Sequence, residues 1–325
     1  MPSPSPRRGL VLGGGGVLGG TWAVGALHVM QEKYGFSAND VDVIVGTSAG
    51  SVLTALLGAG VTVEHLRKHY LGEAITDGPL AGYAFDPGTA TGGSRPGVPR
   101  LRGPGSPRLL GLSLRRIGAI PTTAVLSALL PEGSRSLERV GHLIDAVTPM
   151  GDWSSHQGVW VVAMDYEDGR RVVFGRPGSP VVPLASAVMA SCAIPGWFAP
   201  VTIGKRTYID GGAVSATSID VVAHAGLDEV YVVAPMVSFH MDRPTSLTGR
   251  LERRWRQEVT KAALAEAERV RATVAQVRMI GPGPEDLAAI GANFMDSSRL
   301  VAVLETSMRT SGAAWSATDE VAATG

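Results

Sequence analysis

The stretch Asp42–Val43–Ile44–Val45–Gly46–Thr47–Ser48–Ala49–Gly50–Ser51 constrains this chain more than any other. Asp42–Val45 is a β-branched apolar run that reads as a buried strand. Val52–Leu57 continues in residues suited to a helix, which Gly58 and Gly60 end. A strand that passes directly into a helix must bend sharply, and the bend drives Ser48 into an unfavourable backbone conformation. Gly46 and Gly50, two positions to either side, let the chain segments pass each other. The hydroxyl then stands at the carboxyl end of a sheet with a helix N-terminus beneath it, the geometry of a nucleophile elbow. Taken alone, Gly-x-Ser-x-Gly in a glycine-rich chain is also a plain turn.

The segment before it is of the same kind. Gly9–Leu12 reads as a first strand, Gly13–Gly20 as a glycine-rich turn, and Thr21–Tyr34 as a helix with Trp22, Ala26, Val29 and Met30 on one face. Strand, glycine loop, helix, strand, elbow, helix is a right-handed crossover opening an α/β fold. Converging N–H groups in such a loop, ahead of a helix N-terminus, form a nest for an anion. Gly14-x-Gly16-x-x-Gly19 matches the dinucleotide fingerprint, which also wants an acidic residue at the end of the second strand to hold a ribose. That strand runs into Gly46–Thr47–Ser48 instead, and Asp40 and Asp42 lie at its wrong end. An oxyanion hole needs only the N–H groups, and the next strand supplies a serine, so this reading is preferred.

Further along, Val61–Tyr70 reads as a polar amphipathic helix. His65 and His69 have the i,i+4 spacing of a metal pair but no evident third ligand, which favours a solvated face. Residues 86–106 are dense in Gly and Pro with Arg95, Arg100 and Arg102 interspersed; Leu109–Leu130 is more apolar and contains Arg115 and Arg116. The plain reading of 86–130 is a mobile surface insertion, and the functional one a lid that docks on an anionic lipid surface. Leu137–Val147 reads as a helix, Gly158–Met164 and Arg171–Phe174 as a hairpin, and Pro183–Ser191 as a small-residue helix. Thr207–Ile209 is a strand ending at Asp210, with Gly211 and Gly212 turning the chain behind it. A carboxylate at a strand's carboxyl end is placed to share a cleft with Ser48, and a desolvated pocket would raise its pKa enough to accept a proton. Glu229–Val233 reads as a buried strand, Arg253–Arg278 as a long helix, and the segment through Leu304 as a final helical region.

With 325 residues, 45% of them hydrophobic, the chain can bury one large core or two smaller ones. A formal net charge of zero gives no global field for nucleic acid, and none is expected as a partner. The single cysteine, Cys192, excludes an intrachain disulfide and fits a reducing compartment. No apolar run approaches the roughly 20 residues of a membrane span, and the glycine-broken run after Met1–Arg8 lacks a signal-peptide layout. A cytoplasmic protein that can still touch a membrane surface is expected.

Three motifs in order, Gly14–Gly15–Gly16–Val17–Leu18–Gly19, Gly46–Thr47–Ser48–Ala49–Gly50 and Asp210–Gly211–Gly212, together resemble the patatin-like phospholipase family. The approach Ala190–Ser191–Cys192–Ala193–Ile194–Pro195–Gly196 is similar to that family as well. The resemblance covers roughly residues 9–220. It implies a three-layer α/β/α fold with a mainly parallel sheet, spanning 9–310 as one domain between a tail at 1–8 and another at 311–325. It implies a serine–aspartate dyad of Ser48 and Asp210, an oxyanion hole from the N–H groups of Gly14, Gly15 and Gly16, and hydrolysis of lipid acyl esters without cofactor or metal. Two departures touch the substrate class: Leu18 stands where the family usually has Arg or Lys, and Ala216–Thr217–Ser218 replaces an Asn-x-Pro. A Ser-His-Asp hydrolase or an acyl-carrier transacylase would need a base histidine, and of those after Asp210 neither His224 nor His240 sits in a recognisable catalytic loop. The alternatives carried are an esterase of non-lipid esters and a non-catalytic lipid- or nucleotide-binding protein using the Gly14–Gly19 loop.

Overall fold

The computed structural model describes residues 5–83, 86, 93–95, 97, 103–115, 120–149 and 151–323. In chain order the elements are β1 (Arg8–Leu12), α1 (Gly16–Tyr34), β2 (Val43–Thr47), α2 (Ala49–Gly58) and α3 (Val63–Leu71). Then come α4 (Pro107–Arg115), α5 (Thr122–Leu129), α6 (Glu138–Val147), β3 (Val159–Asp165), β4 (Arg171–Phe174) and α7 (Leu184–Cys192). The remainder is β5 (Val201–Ile203), β6 (Arg206–Asp210), β7 (Glu229–Val233), α8 (Leu247–Arg271), β8 (Gln276–Ile280), α9 (Pro284–Ile290) and α10 (Leu300–Ala323).

One eight-stranded sheet runs through hydrogen-bonded neighbours β5–β6–β3–β2–β1–β7–β8, with β4 also on β3. The ladders β3–β2, β2–β1, β1–β7 and β7–β8 are parallel; β4 and β6 meet β3 antiparallel. Strand alternation splits the core in two. Leu10, Leu12 and Ile44 face a cluster with α1, α2, α6, α7 and α10, while Val11, Val43 and Val45 face Ala263, Ala267 and Val270 of α8. This is a three-layer α/β/α sandwich with a mainly parallel sheet, as expected.

The pairing around β3 decides where the strand ends go. Val161 and Val162 pair with both β2 and β4, so those two strands lie on opposite edges of β3. Ala163 and Met164 pair with both β4 and β6, which puts β6 on the β2 side. Along that shared edge Thr47 stands opposite Val162 and Asp210 opposite Ala163. Since β2 runs with β3 and β6 against it, their carboxyl ends point at each other.

Several boundaries differ from the sequence reading. The helix α1 begins at Gly16, inside the glycine turn, rather than at Thr21. Arg8 belongs to β1 and the Arg7 amide is bound by Asp228 at 2.8 Å, so the first strand starts before residue 9. The long helix stops at Arg271, and Gln276–Ile280 is a strand, because its residues pair one for one with Glu229–Val233. Tertiary pairing overrides the helical propensity of the preceding run there. At the C-terminus no tail begins at 311: α10 continues to Ala323. Trp315 is fully buried, packs edge-on against Tyr34 and Tyr231, and donates its Nε1–H to Ala26 O at 3.0 Å. His65 is also not on a solvated face. It is buried at the start of α3, where its N–H donates to Thr62 Oγ1 and its Nδ1 accepts from the Thr62 N–H. Among the described residues no cluster of three or more His, Cys, Asp or Glu is placed to hold a metal, and no helix is long and apolar enough to cross a membrane.

Within the 86–130 stretch, α4 and α5 lay Leu109, Ala124 and Ala128 against Met164, Tyr166 and Ile209 at the end of β3 and β6. Arg100, Arg102 and Arg116 lie outside the described residues. Truncating Trp315 to Ala is expected to cost about 3–5 kcal/mol, because it empties a site walled by α1 and the sheet. Urea unfolding measures the loss, and a change below about 1 kcal/mol would return the segment to the status of a tail.

Candidate active site

Ser48 sits at the junction of β2 and α2 with φ 54° and ψ −126°, one of two non-glycine residues with positive φ among those described. Such a backbone costs about 1–3 kcal/mol and persists only where the surroundings hold it. They do so through three side chains. The Ser48 N–H donates to Ser191 Oγ at 2.9 Å, and Ser191 in turn donates to Val162 O at 2.6 Å. The Ser48 carbonyl accepts from Ser51 Oγ at 2.7 Å and from the Cys192 thiol at 3.3 Å. Ser191 thus closes the hydrogen bonding on β3 at the point between the end of β2 and the end of β6. A Cβ on Gly50 would strike the Leu12 carbonyl, and one on Gly46 the backbone of Gly50 and Ser51, so glycine at both positions is a packing requirement.

Asp210 ends β6 and is 4% exposed; Ser48 is 7% exposed. The Gly212 N–H donates to Asp210 Oδ1 at 2.7 Å, and the Asp210 N–H donates to Ala193 O at 3.0 Å. Burial raises the Asp210 carboxyl from 3.8 to about 6, against the opposing pull of hydrogen bonds from the Ser48 hydroxyl and the Gly212 amide. Gly211 lies so close to Val162 that a Cβ would meet the Val162 carbonyl. The structure therefore brings Ser48 and Asp210 together in one cleft.

The glycine loop reaches the same place. A Cβ on Gly14 would stand 3.2 Å from the Ser48 Cβ, and Gly16, at φ 62°, turns the chain into α1. Gly14, Gly15, Gly16, Ser48, Asp210 and Gly212 all line one cavity of about 540 Å³. One expectation needs correcting. The Gly14 N–H is already bound to Ala216 O at 2.8 Å and cannot receive a developing oxyanion. The N–H groups of Gly15 and Gly16 have no protein acceptor among the described residues, and both stand at the positive end of α1. Gly19 sits behind the loop, its N–H on Gly15 O at 3.0 Å and its Cα against Pro235.

Both departures from the motif have a physical place. Leu18 is fully buried in the core and its N–H donates to Phe294 O at 2.9 Å, so no cation could stand there without desolvation. Ala216–Thr217–Ser218 supplies the carbonyl that holds Gly14, and Glu266 on α8 anchors it by accepting from Thr217 Oγ1 at 2.7 Å and the Ile219 N–H at 2.9 Å.

Sequence reasoning missed the walls. Pro235, against Gly15 and Gly19, has its carbonyl bound at 2.5 Å by the fully buried Arg256, which also pairs with Glu252 at 2.9 Å. Leu126, Leu130, Trp197, Trp255 and Phe294 make the large cavity apolar. A second, narrower cavity of about 80 Å³ opens on the other side of Ser48 between Tyr70, Leu137, Val140 and Phe198. Only Ser191 had a signal, its place in the Ala-Ser-x-Ala-Ile-Pro-Gly approach; the walls converge from segments far apart in the chain that no spacing links.

An elbow serine at the end of a mainly parallel sheet, a buried carboxylate facing it and a glycine loop beside both share one cleft of an α/β protein. A family model described as patatin-like phospholipase matches residues 10–223. The chain belongs to the patatin-like phospholipase family, which places it among the lipid acyl hydrolases. The structure of VipD from Legionella pneumophila is similar at 14% identity and TM-score 0.38, over 93% of this chain and 67% of that one. The structure of the type III effector protein ExoU is similar at 16% identity and TM-score 0.35, over 97% of this chain and 54% of that one. The chain thus spans about half the length of ExoU.

The carboxyl's shift sets a stability prediction. Asp210 binds its proton more tightly folded than unfolded, so its ionisation costs stability as pH rises from about 3.8 through 6. The full cost is about 3 kcal/mol and is reached above pH 6. Asp210→Asn, which keeps the acceptor for Gly212, is expected to gain on the wild type between about pH 4 and 6 and then hold a constant advantage in urea unfolding. A pH-independent difference would contradict the buried, shifted carboxyl.

Proposed function

We propose that the protein is a serine hydrolase of phospholipase A or lysophospholipase type, with Ser48 as nucleophile and Asp210 as its base. The observation that carries the reading is the end-to-end approach of β2 and β6 on one edge of β3, which sets the serine and a high-pKa carboxyl in one apolar cleft. Above pH 6 the ionised Asp210 takes the Ser48 proton as Oγ attacks the ester carbonyl. The Gly15 and Gly16 N–H groups, at the positive end of α1, receive the oxyanion. Collapse of the tetrahedral species expels the alcohol, protonated by Asp210, and leaves the acyl group on Ser48. Water, deprotonated by Asp210, then attacks the acyl-enzyme and releases the fatty acid. Every step uses groups within the cleft.

The two cavities that meet at Ser48 support a division of the substrate. The narrow one, walled by Tyr70, Leu137, Val140 and Phe198, takes the acyl chain, and the wide one takes the alcohol portion.

Ser48→Ala and Asp210→Asn are each expected to lower hydrolysis of lipid and p-nitrophenyl esters by about 10³-fold or more while remaining folded. In the wild type, kcat/KM should rise with pH and reach half its plateau near pH 6. A fluorophosphonate probe should label Ser48 alone. An unlabelled, inert wild type would turn the reading toward a binding protein, and a retained rate in either variant would remove that residue's role.

Across a series of ester chain lengths, Leu137→Ala combined with Val140→Ala should move the optimum to longer acyl chains. An unmoved optimum would place the chain in the wide cavity instead.

A further inference from the structure

The first half of α8 carries two faces of opposite character. Glu252, Arg253 and Arg256 point inward and are buried, with Arg253 held by Asp242 and Glu252. At 100° per residue these three lie on one side of the helix, and Leu247, Leu251 and Trp255 on the other. Leu247 is 82% exposed, Leu251 70% and Trp255 47%. Arg250 and Arg254 flank this stripe on the same face, with Arg243 just before the helix; all three are exposed, and none forms an ion pair among the described residues. The stripe does not end on α8. Trp255 lines the wide cavity together with Leu126 and Leu130 of the α5 segment, which with Leu129 are also about half exposed. Apolar side chains therefore rim the cavity that holds Ser48 from two sides, and arginines without an ion pair among the described residues stand beside them, Arg250 donating only to the Pro244 carbonyl at 3.3 Å.

An exposed Leu-Leu-Trp stripe is costly in water unless something covers it. A second copy of this chain would bring three arginines against three arginines. A bilayer with anionic lipid satisfies both halves of the surface: leucines and the indole enter the acyl boundary while guanidinium groups meet headgroup phosphates. We infer that the N-terminal half of α8, with the α5 leucines, is the surface by which the protein seats its cleft mouth on an anionic lipid bilayer. Lipid then passes from the interface past Trp255 and Leu126 into the wide cavity without crossing water. This rests on the ester-hydrolase reading for its purpose but not for its chemistry.

The test uses Ser48→Ala protein, so that turnover does not alter the vesicles, in sedimentation with phosphatidylcholine vesicles made with and without phosphatidylglycerol. Binding is expected with phosphatidylglycerol and to weaken with salt. Leu247→Ser with Leu251→Ser should lower it about tenfold or more, and Arg250→Glu with Arg254→Glu by about fivefold per arginine or more. In the Ser48 background neither pair lines the cavity, so hydrolysis of a soluble short-chain ester should stay within about twofold while hydrolysis of vesicle lipid falls with binding. Wild-type vesicle binding in both pairs would overturn the proposal. So would a dimer in solution that the leucine substitutions disperse, which would make the stripe a contact between copies. Lost vesicle binding with no esterase activity in the parent would sink the hydrolase reading and leave the docking surface standing.

Discussion

Everything at this site depends on two strands sharing one edge of β3. β2 occupies that edge up to Val162, and β6, running the other way, occupies it from Ala163 onward. Two chains cannot continue past each other on the same ladder, so both must leave the sheet there. One leaves through the Ser48 bend into α2 and the other through Gly211 and Gly212. The meeting of hydroxyl and carboxyl is thus a consequence of strand register. A shift of either strand would separate them and would also turn buried side chains to the wrong face.

The gap where the two strands abut is closed by Ser191, which bridges the Ser48 amide to the Val162 carbonyl. Its neighbour Ala193 accepts the Asp210 amide. One short segment at the end of α7 therefore touches both Ser48 and Asp210. It makes the positive φ of Ser48 tolerable by giving its N–H and, through Cys192, its carbonyl partners that an ordinary turn would lack. On the opposite side Ala216 joins the region behind Asp210 to the glycine loop through Gly14. The Gly14 amide is bound in that tie, which leaves Gly15 and Gly16 as the loop amides facing the cleft. Serine strain and a desolvated carboxylate both weaken the fold, and both sit in the one cleft.

Legibility from sequence followed locality. The elbow, the glycine nest and the Asp-Gly-Gly turn were readable because each is a backbone event set by residues within a few positions of one another. Most core strands were readable for the same reason: Val230–Val233 is an unbroken run of valine and tyrosine. Gln276–Ile280 was not, because its polar-apolar alternation spans only a few residues directly after a long helical run, and pairing with β7 is what separates it. The tail expected after residue 310 failed likewise. Its small and polar residues conceal that Trp315 fits a space between α1 and the sheet, and that space exists only after folding. Trp255 lies in the run read as a long helix, where charged residues would be expected to face out, yet the inward residues there are Glu252 and Arg256 while Trp255 is exposed.

By itself the sequence determined which backbone points could host acyl-transfer chemistry, since glycine placement and a serine between strand and helix are steric facts independent of the rest. What only the tertiary structure decided was how those points meet and what surrounds them. It set the β2–β6 abutment, the loss of the Gly14 amide to Ala216, the two cavities flanking Ser48 and the exposed stripe on α8. Register, desolvation and wall shape depend on contacts between residues far apart in the chain. No local pattern encodes them, because their free energy appears only when the layers close.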